Sequence, residues 1–416
     1  MTGSASIHRQ ETTCVVVGGG PAGAVLALLL ARQDIPVILL EMHADFDRDF
    51  RGDTLHPSVL EVMDEIGLAD RLVELAYARV SQLTAPTKDG LVLLADLHAL
   101  KTRFPFIAMM PQTRFLEFVT QEASKYPNFS LIFNANVHEL IEEDGVVRGV
   151  RYQGKDGWNE VRARLTVGAD GRFSKVRKLA GFEATPTSPP MDVLWLRLPK
   201  RIEDVGGIMG RFGAGALLVM LDRGNQWQIG YIIRKGSYKK LQAAGIEAFR
   251  HSIGQLAPEL AGETEVLKDW REVSFLSVSS DRLPRWYKPG LLMIGDAAHV
   301  MSPAGGNGIN YAIMDAVAAA NRLTEPLQRG EVTVLDLAAV QRRRIWPTRI
   351  VQTVVSRVQD QVINRALDPG MAFQVPGVFR APFIRRLPVI GALPAHFMGF
   401  GIRREHVRYR AQQGPK

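Results

Sequence analysis

The run Thr13-Cys-Val-Val-Val-Gly18 is short, apolar and rich in β-branched residues, as a parallel strand covered on both faces requires. It passes directly into Gly18-Gly19-Gly20-Pro21-Ala22-Gly23, and then into a helical pattern through Leu26, Leu29 and Leu30. A second strand-like run, Pro36-Val-Ile-Leu-Leu40, ends at Glu41. Strand, glycine turn, helix, strand and terminal acid together match the dinucleotide fingerprint G-x-G-x-x-G and commit the start of the chain to a Rossmann-like βαβ unit. Gly18 permits the tight turn, Gly20 lets a pyrophosphate approach, and Gly23 lets the helix pack on the strand. Pro21 and Ala22 stand at the helix start, and Glu41 is placed to accept a hydrogen bond from a ribose hydroxyl. The alternative is a glycine-rich turn with nothing bound.

A second βα unit lies two-thirds of the way along the chain. Leu291-Leu-Met-Ile294 reads as a buried strand and Gly295-Asp296 as its end. Pro303-Ala-Gly305-Gly306-Asn307-Gly308-Ile309-Asn310 reads as a glycine-rich turn opening a helix through Ala312, Ile313, Ala316, Ala319 and Leu323. The helix start directs free N–H groups and a positive dipole end at whatever lies over the turn. The blander reading is an ordinary βα turn with a capping aspartate.

Between these units the chain alternates. Arg51 precedes a helix over Val59–Leu68 and is a candidate charge-assisted donor to a pyrophosphate. His56 is an active-site candidate or a surface or capping histidine, and Pro57 suits a first helical turn. Val80–Leu94 reads as a hairpin about Lys88-Asp-Gly90, and Gln112 opens a helix running to about Lys125. Short strands follow around 130–133, 137–142, 146–152 and 161–167. Asp170-Gly171 ends the last of them, and Ser174 is placed to cap the next helix. Asp170 either binds ribose or orders the pyrophosphate loop, or is a plain turn aspartate. Val193–Leu198, Ala216–Leu221 and Gln226–Ile233 suggest a mostly antiparallel sheet forming one wall of a pocket, followed by a helix over Tyr238–Phe249.

The tail reads as a long helix, Val334–Ile363, with a kink expected at Pro347. Its Arg342-Arg343-Arg344 cluster is most simply a solvated face or a contact with the other domains. Beyond Asp368-Pro-Gly370 the chain is apolar, broken by prolines and flanked by Arg385-Arg386 and Arg403-Arg404. A closing segment packed on the core is preferred over a weak contact with an anionic membrane surface.

With 416 residues, 46% hydrophobic, the chain can bury a large core in two or three domains. The expected division is a nucleotide-binding domain in three parts (1–79, 101–187 and 281–330), a hairpin at 80–100, a substrate sheet at 188–280 and a helical tail at 331–416. One cysteine, Cys14, excludes an internal disulfide framework and a redox dithiol, so redox chemistry has to come from a cofactor. That usage fits a cytoplasmic protein. The net charge of +8 suits anionic cofactors or substrates as well as a plain solvated surface. No nucleic-acid module is visible. Leu387–Ile402 is interrupted by prolines and glycines and makes a poor transmembrane span.

Gly18–Gly23 with Glu41, Asp170-Gly171, and Gly295-Asp-Ala-Ala-His299 with Pro303-x-Gly305-x-x-Gly308-x-Asn310 stand in this order over roughly residues 12–360. Together they resemble the group A FAD-dependent monooxygenases, the para-hydroxybenzoate hydroxylase type. The resemblance implies a discontinuous Rossmann-like FAD-binding domain with an inserted antiparallel substrate sheet. Gly18, Gly20, Gly23 and Glu41 would hold the ADP half of non-covalently bound FAD. Arg51 and Gln112 would reach its pyrophosphate or ribitol side, and Asp296 the ribitol. Pro303, Gly305, Gly306, Asn307, Gly308, Ile309 and Asn310 would sit against the isoalloxazine ring. Asp170 would serve both FAD and NAD(P)H, which visits transiently and needs no second nucleotide fold. Oxygen would pass from O2, through a flavin C4a-hydroperoxide, to a small aromatic or other activated ring.

No secure catalytic acid–base pair is expected. His56, Arg211, Trp227 and Tyr231 are the candidates to line the pocket. A flavin halogenase shares this fold, but Trp227-Gln-Ile-Gly230-Tyr-Ile232 lacks the second Trp and the Pro of W-x-W-x-I-P. A flavin-dependent reductase and a non-catalytic binding protein of the GDP-dissociation-inhibitor type are the remaining alternatives. The substrate and the oligomeric state are not written in the sequence.

Overall fold

Strand β1 (His8–Val17) organises the main sheet because only its second half is apolar on both faces. Residues 14–17 are buried, whereas the first six positions are exposed or half-buried. The computed structural model describes residues 7–47, 54–87, 90–187, 191–201, 208–213, 215–303, 306–360 and 388–409. The buried half of β1 pairs in parallel with β2 (Val37–Leu40) on one side, Cys14 opposite Val37. Strand β3 (Phe129–Ile132) extends that side in parallel. On the other side β1 pairs in parallel with β6 (Gly157–Gly168), Cys14 opposite Leu165.

Strand β6 has two different neighbours on its outer edge. Its first half pairs antiparallel with β5 (Val146–Gly154), which in turn pairs with β4 (Asn136–Glu143). Its last three residues pair in parallel with β12 (Leu291–Met293). The ends of β1, β6 and β12 therefore come together at one edge of the sheet, although they are far apart in sequence. Helix α1 (Pro21–Ala31) is apolar all round, with every residue from Ala22 to Ala31 buried. It packs against α2 (Gln112–Ala123) and α5 (Gly308–Arg329).

A second sheet is antiparallel throughout. Its order is β8 (Ile208–Gly213), β9 (Ala216–Asp222), β10 (Gln226–Arg234), β7 (Met191–Pro199), β11 (Ser274–Leu276). One face carries Leu194, Leu196, Leu218, Trp227, Ile229 and Tyr231, packed on Phe249, Ile253 and Leu256 of α4 (Ile246–Leu256). The other face carries Met191, Val193, Leu217 and Ile232, with Trp195 and Val219 partly buried among them. The single helix expected over Tyr238–Phe249 is interrupted at Gly245, whose φ of +91° starts α4 afresh.

Helix α6 (Val334–Val358) continues through Pro347, and the expectation for 361–363 lies outside the described residues. Helix α7 (Pro388–Phe400) packs against the outer hairpin strand, Gly90–Asp96, and the turn after it. Its Ala395 and Phe400 join a cluster with Val80, Leu97, Leu100, Ile107 and Met109. Among the described residues no helix is long and apolar enough to cross a membrane. The chain is thus an α/β protein: a discontinuous Rossmann-like domain, an inserted antiparallel sheet and a C-terminal helical region.

Candidate active site

Three glycines of the first turn do different jobs. Gly18 has a φ of +107°, and a Cβ there would lie 2.5 Å from the carbonyl oxygen of Ala169, so β6 ends hard against it. A Cβ on Gly23 would lie 2.0 Å from the oxygen of Gly18, which lets α1 sit directly on the turn. At Gly20, by contrast, a Cβ would meet nothing within 4 Å. Gly20 is the N-cap of α1, in an ordinary extended conformation with no side-chain cap, and Pro21 follows at the first helical position. Open space beside free helix amides is what an anionic group needs. The Glu41 carboxylate accepts hydrogen bonds from the backbone N–H groups of Gly19 and His43, both at 3.0 Å.

The second turn meets the first. Gly295, with φ +59°, is wedged between Ala22 of α1 and Ala312 of α5. A Cβ on it would lie 3.1 and 3.3 Å from theirs. From Leu291 to Ser302 every residue is buried except Asp296, which is half-buried. Helix α5 begins at Gly308 with Asn307 as N-cap and no side-chain cap, and space at Gly308 is open. The turn is shaped by its neighbours. Gly306 has a φ of +65°, and a Cβ there would crowd Thr54 Oγ1 at 2.7 Å. Asn310 accepts from the N–H of His56 at 2.9 Å and donates to the oxygen of Gly306 at 3.1 Å. Pro303 and Ile309 are half-buried alongside. Gly305 and Arg51 lie outside the described residues. Gln112 opens α2, where Thr113 donates to the carbonyl of Phe46 in the loop after Glu41.

His56 is 1% exposed. Its Nδ1 lies 2.7 Å from the carbonyl of Met398, so Nδ1 carries the hydrogen and Nε2 is left as a buried acceptor with no protein partner. Burial, only partly offset by the Met398 bond, lowers its pKa to about 4. His56 is therefore neutral and adjoins the glycine turn. Asp170 behaves differently from a free ligand. Its Oδ1 accepts from Ser174 Oγ at 2.5 Å, and its Oδ2 from the N–H groups of Lys175 and Val176 at 2.7 and 3.0 Å. It caps α3 (Lys175–Leu179) together with Ser174. Burial raises its pKa despite these bonds.

Three pocket candidates require correction. Trp227 is 1% exposed and Tyr231 4%, both in the core under α4. Tyr231 donates to Ser252 at 3.0 Å and packs edge-on against Phe249. Arg211 pairs with Glu259 at 2.7 Å on that same side. Strand alternation puts all three on the helix-covered face. The opposite face is the one tied to the second turn: Gln359 Nε2 bonds Ser302 Oγ at 2.5 Å and approaches Met191 Sδ at 3.8 Å.

That opposite face holds a residue the sequence reading passed over. The Trp195 indole lies across Gly230, where a Cβ would come within 3.0 Å of the ring, and its Nε1 has no hydrogen-bond partner. A glycine directly opposite a tryptophan in an antiparallel pair is the sequence signal that could have found it. Of the two readings of the arginine cluster, Arg344 makes the contact with the other domains: it is fully buried on Asp315 of α5 at 2.9 Å.

Comparison with known proteins agrees with this geometry. The family model described as FAD binding domain matches residues 11–354. A 6-methylpretetramide 4-monooxygenase from Streptomyces rimosus is 34% identical over 80% of each chain. A para-nitrophenol 4-monooxygenase from a Pseudomonas strain is 24% identical over 80% of this chain and 83% of its own. Among solved structures, the anhydrotetracycline hydroxylase of Streptomyces rimosus superposes with a TM-score of 0.75, covering 94% of this chain and 76% of its own at 23% identity. The chain belongs to the FAD-binding-domain family and is an FAD-dependent monooxygenase of the group A aromatic hydroxylase type.

Proposed function

We propose that the protein hydroxylates a flat aromatic substrate with FAD, NAD(P)H and O2, in the space between the second glycine turn and the Trp195 face of the antiparallel sheet. The observation that carries this reading is the meeting of two uncapped helix starts at Gly295, beside the half-buried Asp296. The residues present fit FAD. Gly20 and the first turn of α1 receive the pyrophosphate, Glu41 the adenosine ribose and Asp296 the ribitol. Arg51 and Gln112 serve the pyrophosphate side. The start of α5, with Pro303 and the turn to Asn310, would hold the isoalloxazine ring. A helix N-terminus there stabilises the negative charge of the reduced form.

When bound, FAD supplies the hydride acceptance and oxygen activation, and the chain supplies binding, orientation and exclusion of water. Trp195 offers a stacking surface and an unpaired N–H, which suits a fused ring system bearing an oxygen acceptor. The names of the relatives, from para-nitrophenol to anhydrotetracycline, support an aromatic substrate. Asp170, occupied in capping α3, contributes to the NAD(P)H side by ordering its loop.

The test follows NAD(P)H oxidation and peroxide release by the FAD-loaded protein with 6-methylpretetramide, anhydrotetracycline and para-nitrophenol. The expected result is one ring compound that speeds NAD(P)H oxidation, lowers peroxide yield and gains one oxygen atom by mass. NAD(P)H consumption that ends wholly in peroxide with every ring compound contradicts the reading.

A further inference from the structure

Asp315 is fully buried on α5, and its two oxygens are shared among three elements. Oδ2 accepts from the backbone N–H of Gly295 at 3.1 Å and from His299 Nε2 at 2.5 Å. Oδ1 accepts from Arg344 Nε at 2.9 Å. Arg344 of α6, itself fully buried, donates onward to the carbonyl of Arg403 at 3.1 Å and reaches Glu405 at 3.4 Å. Glu405 also takes Arg343 at 2.7 Å. Residues 403–408 are fastened independently to the Rossmann-like domain. Arg404 pairs with Glu61 at 2.7 Å, and Asn321 binds the backbone on both sides of Val407.

A buried ion pair is a poor way to gain stability, since desolvating each charge costs several kcal/mol and a hydrophobic replacement often does better. What Asp315 does uniquely is hold the peptide N–H of Gly295, the left-handed residue just before Asp296. Gly295 cannot be fixed by a side chain of its own. We propose that Asp315 and Arg344 are positioning residues for Asp296 and the second glycine turn. Glu405 and the Arg403 carbonyl anchor them, so the C-terminal segment completes the cofactor site from behind. This rests on the reading of that turn as the flavin site.

The test uses the full chain stripped of flavin and titrated with FAD, alongside the urea stability of each apoprotein. Arg344→Lys keeps the charge but cannot span Asp315 and Arg403 together. Glu405→Gln loosens the anchor. Arg404→Ala unties the same C-terminal segment from Glu61 without touching the network. The expected result is an FAD dissociation constant at least about tenfold higher for Arg344→Lys, with a shifted visible spectrum of the bound flavin. Glu405→Gln moves both readouts in the same direction by less. Arg404→Ala lowers apoprotein stability but leaves FAD affinity within about twofold and the spectrum unchanged. Should Arg344→Lys fail to fold, Glu405→Gln against Arg404→Ala decides alone. FAD affinity that merely tracks stability across the variants, or that does not change, overturns the positioning role. A wild-type chain that takes up no FAD overturns the flavin reading and this inference together.

Discussion

Helices α5 and α6 are consecutive and of similar length, yet they begin in opposite ways. Helix α6 starts with a complete capping box: Thr333 Oγ1 accepts from the N–H of Asp336, and Asp336 returns the bond to the N–H of Thr333 at 2.9 Å. Helix α5 starts on Asn307 with no side-chain cap, and α1 starts the same way on Gly20. Unpaired donors at a helix start are ordinarily satisfied by side chains, water or ligands. Helices α2 and α4 also start without a side-chain cap; what sets α1 and α5 apart is that their starts meet at Gly295, while α3, which spends both Asp170 and Ser174 on its cap, stands outside that meeting point. An absent side-chain cap therefore marks a place for an anionic ligand here only together with the open space at Gly20 and Gly308.

This contrast can be broken by substitution. The largest effect is expected at Gly23, where a Cβ has no space against the backbone of Gly18. Gly23→Ala should cost more than about 4 kcal/mol of stability in denaturant titrations. Next is His56, bonded through its N–H to the start of α5. Its folded-state pKa is lowered from 6.5 to about 4, so the unfolded chain binds the proton first. The stability due to neutral His56 is complete above pH 6.5 and is lost as pH falls towards 4, by roughly 3 kcal/mol. In His56→Gln, urea unfolding at pH 7 and pH 4.5 should show a shallower loss than in wild type.

Asp296→Ala should raise the FAD dissociation constant by about tenfold or more, the equivalent of one lost hydrogen bond to a charged group, with little change in apoprotein stability. The smallest effect sharpens the comparison most. Thr333→Ala removes a real cap and should cost about 1 kcal/mol of stability, while FAD affinity stays within about twofold. A matching loss of FAD affinity would erase the distinction between the two kinds of helix start.

The nucleotide domain was legible because its glycines are demanded by close backbone approach. Gly23 sits where any side chain collides with Gly18 of the same motif, and Gly18 where one collides with Ala169 at the end of β6, a close approach that its place at the strand end already demands. The antiparallel sheet was legible as strands but not as a site. Both of its faces are apolar, so alternation groups Trp227 with Tyr231 without saying which face meets the second turn. That is decided by α4, packed on one face, and by Gln359, reaching from the other. The role of Arg344 stayed open for a related reason. A run of three arginines reads as a solvated face or as a domain contact, and the choice between them depends on Asp315 and on Glu405 far along the chain. Asp170 was visible as a strand-end acid, but its use in capping α3 emerges only once the helix is placed.

The most direct measurement is an FAD titration of the Gly20→Ala apoprotein beside wild type, with the thermal stability of both. Gly20 has a φ of −70°, which alanine adopts freely, and a Cβ there touches nothing in the protein. If the space over Gly20 belongs to the cofactor, the variant folds as stably as wild type and binds FAD at least about tenfold more weakly, a loss of about 1.4 kcal/mol. Equal affinity for the two proteins would contradict the assignment of that space, and with it the account of the uncapped helix starts.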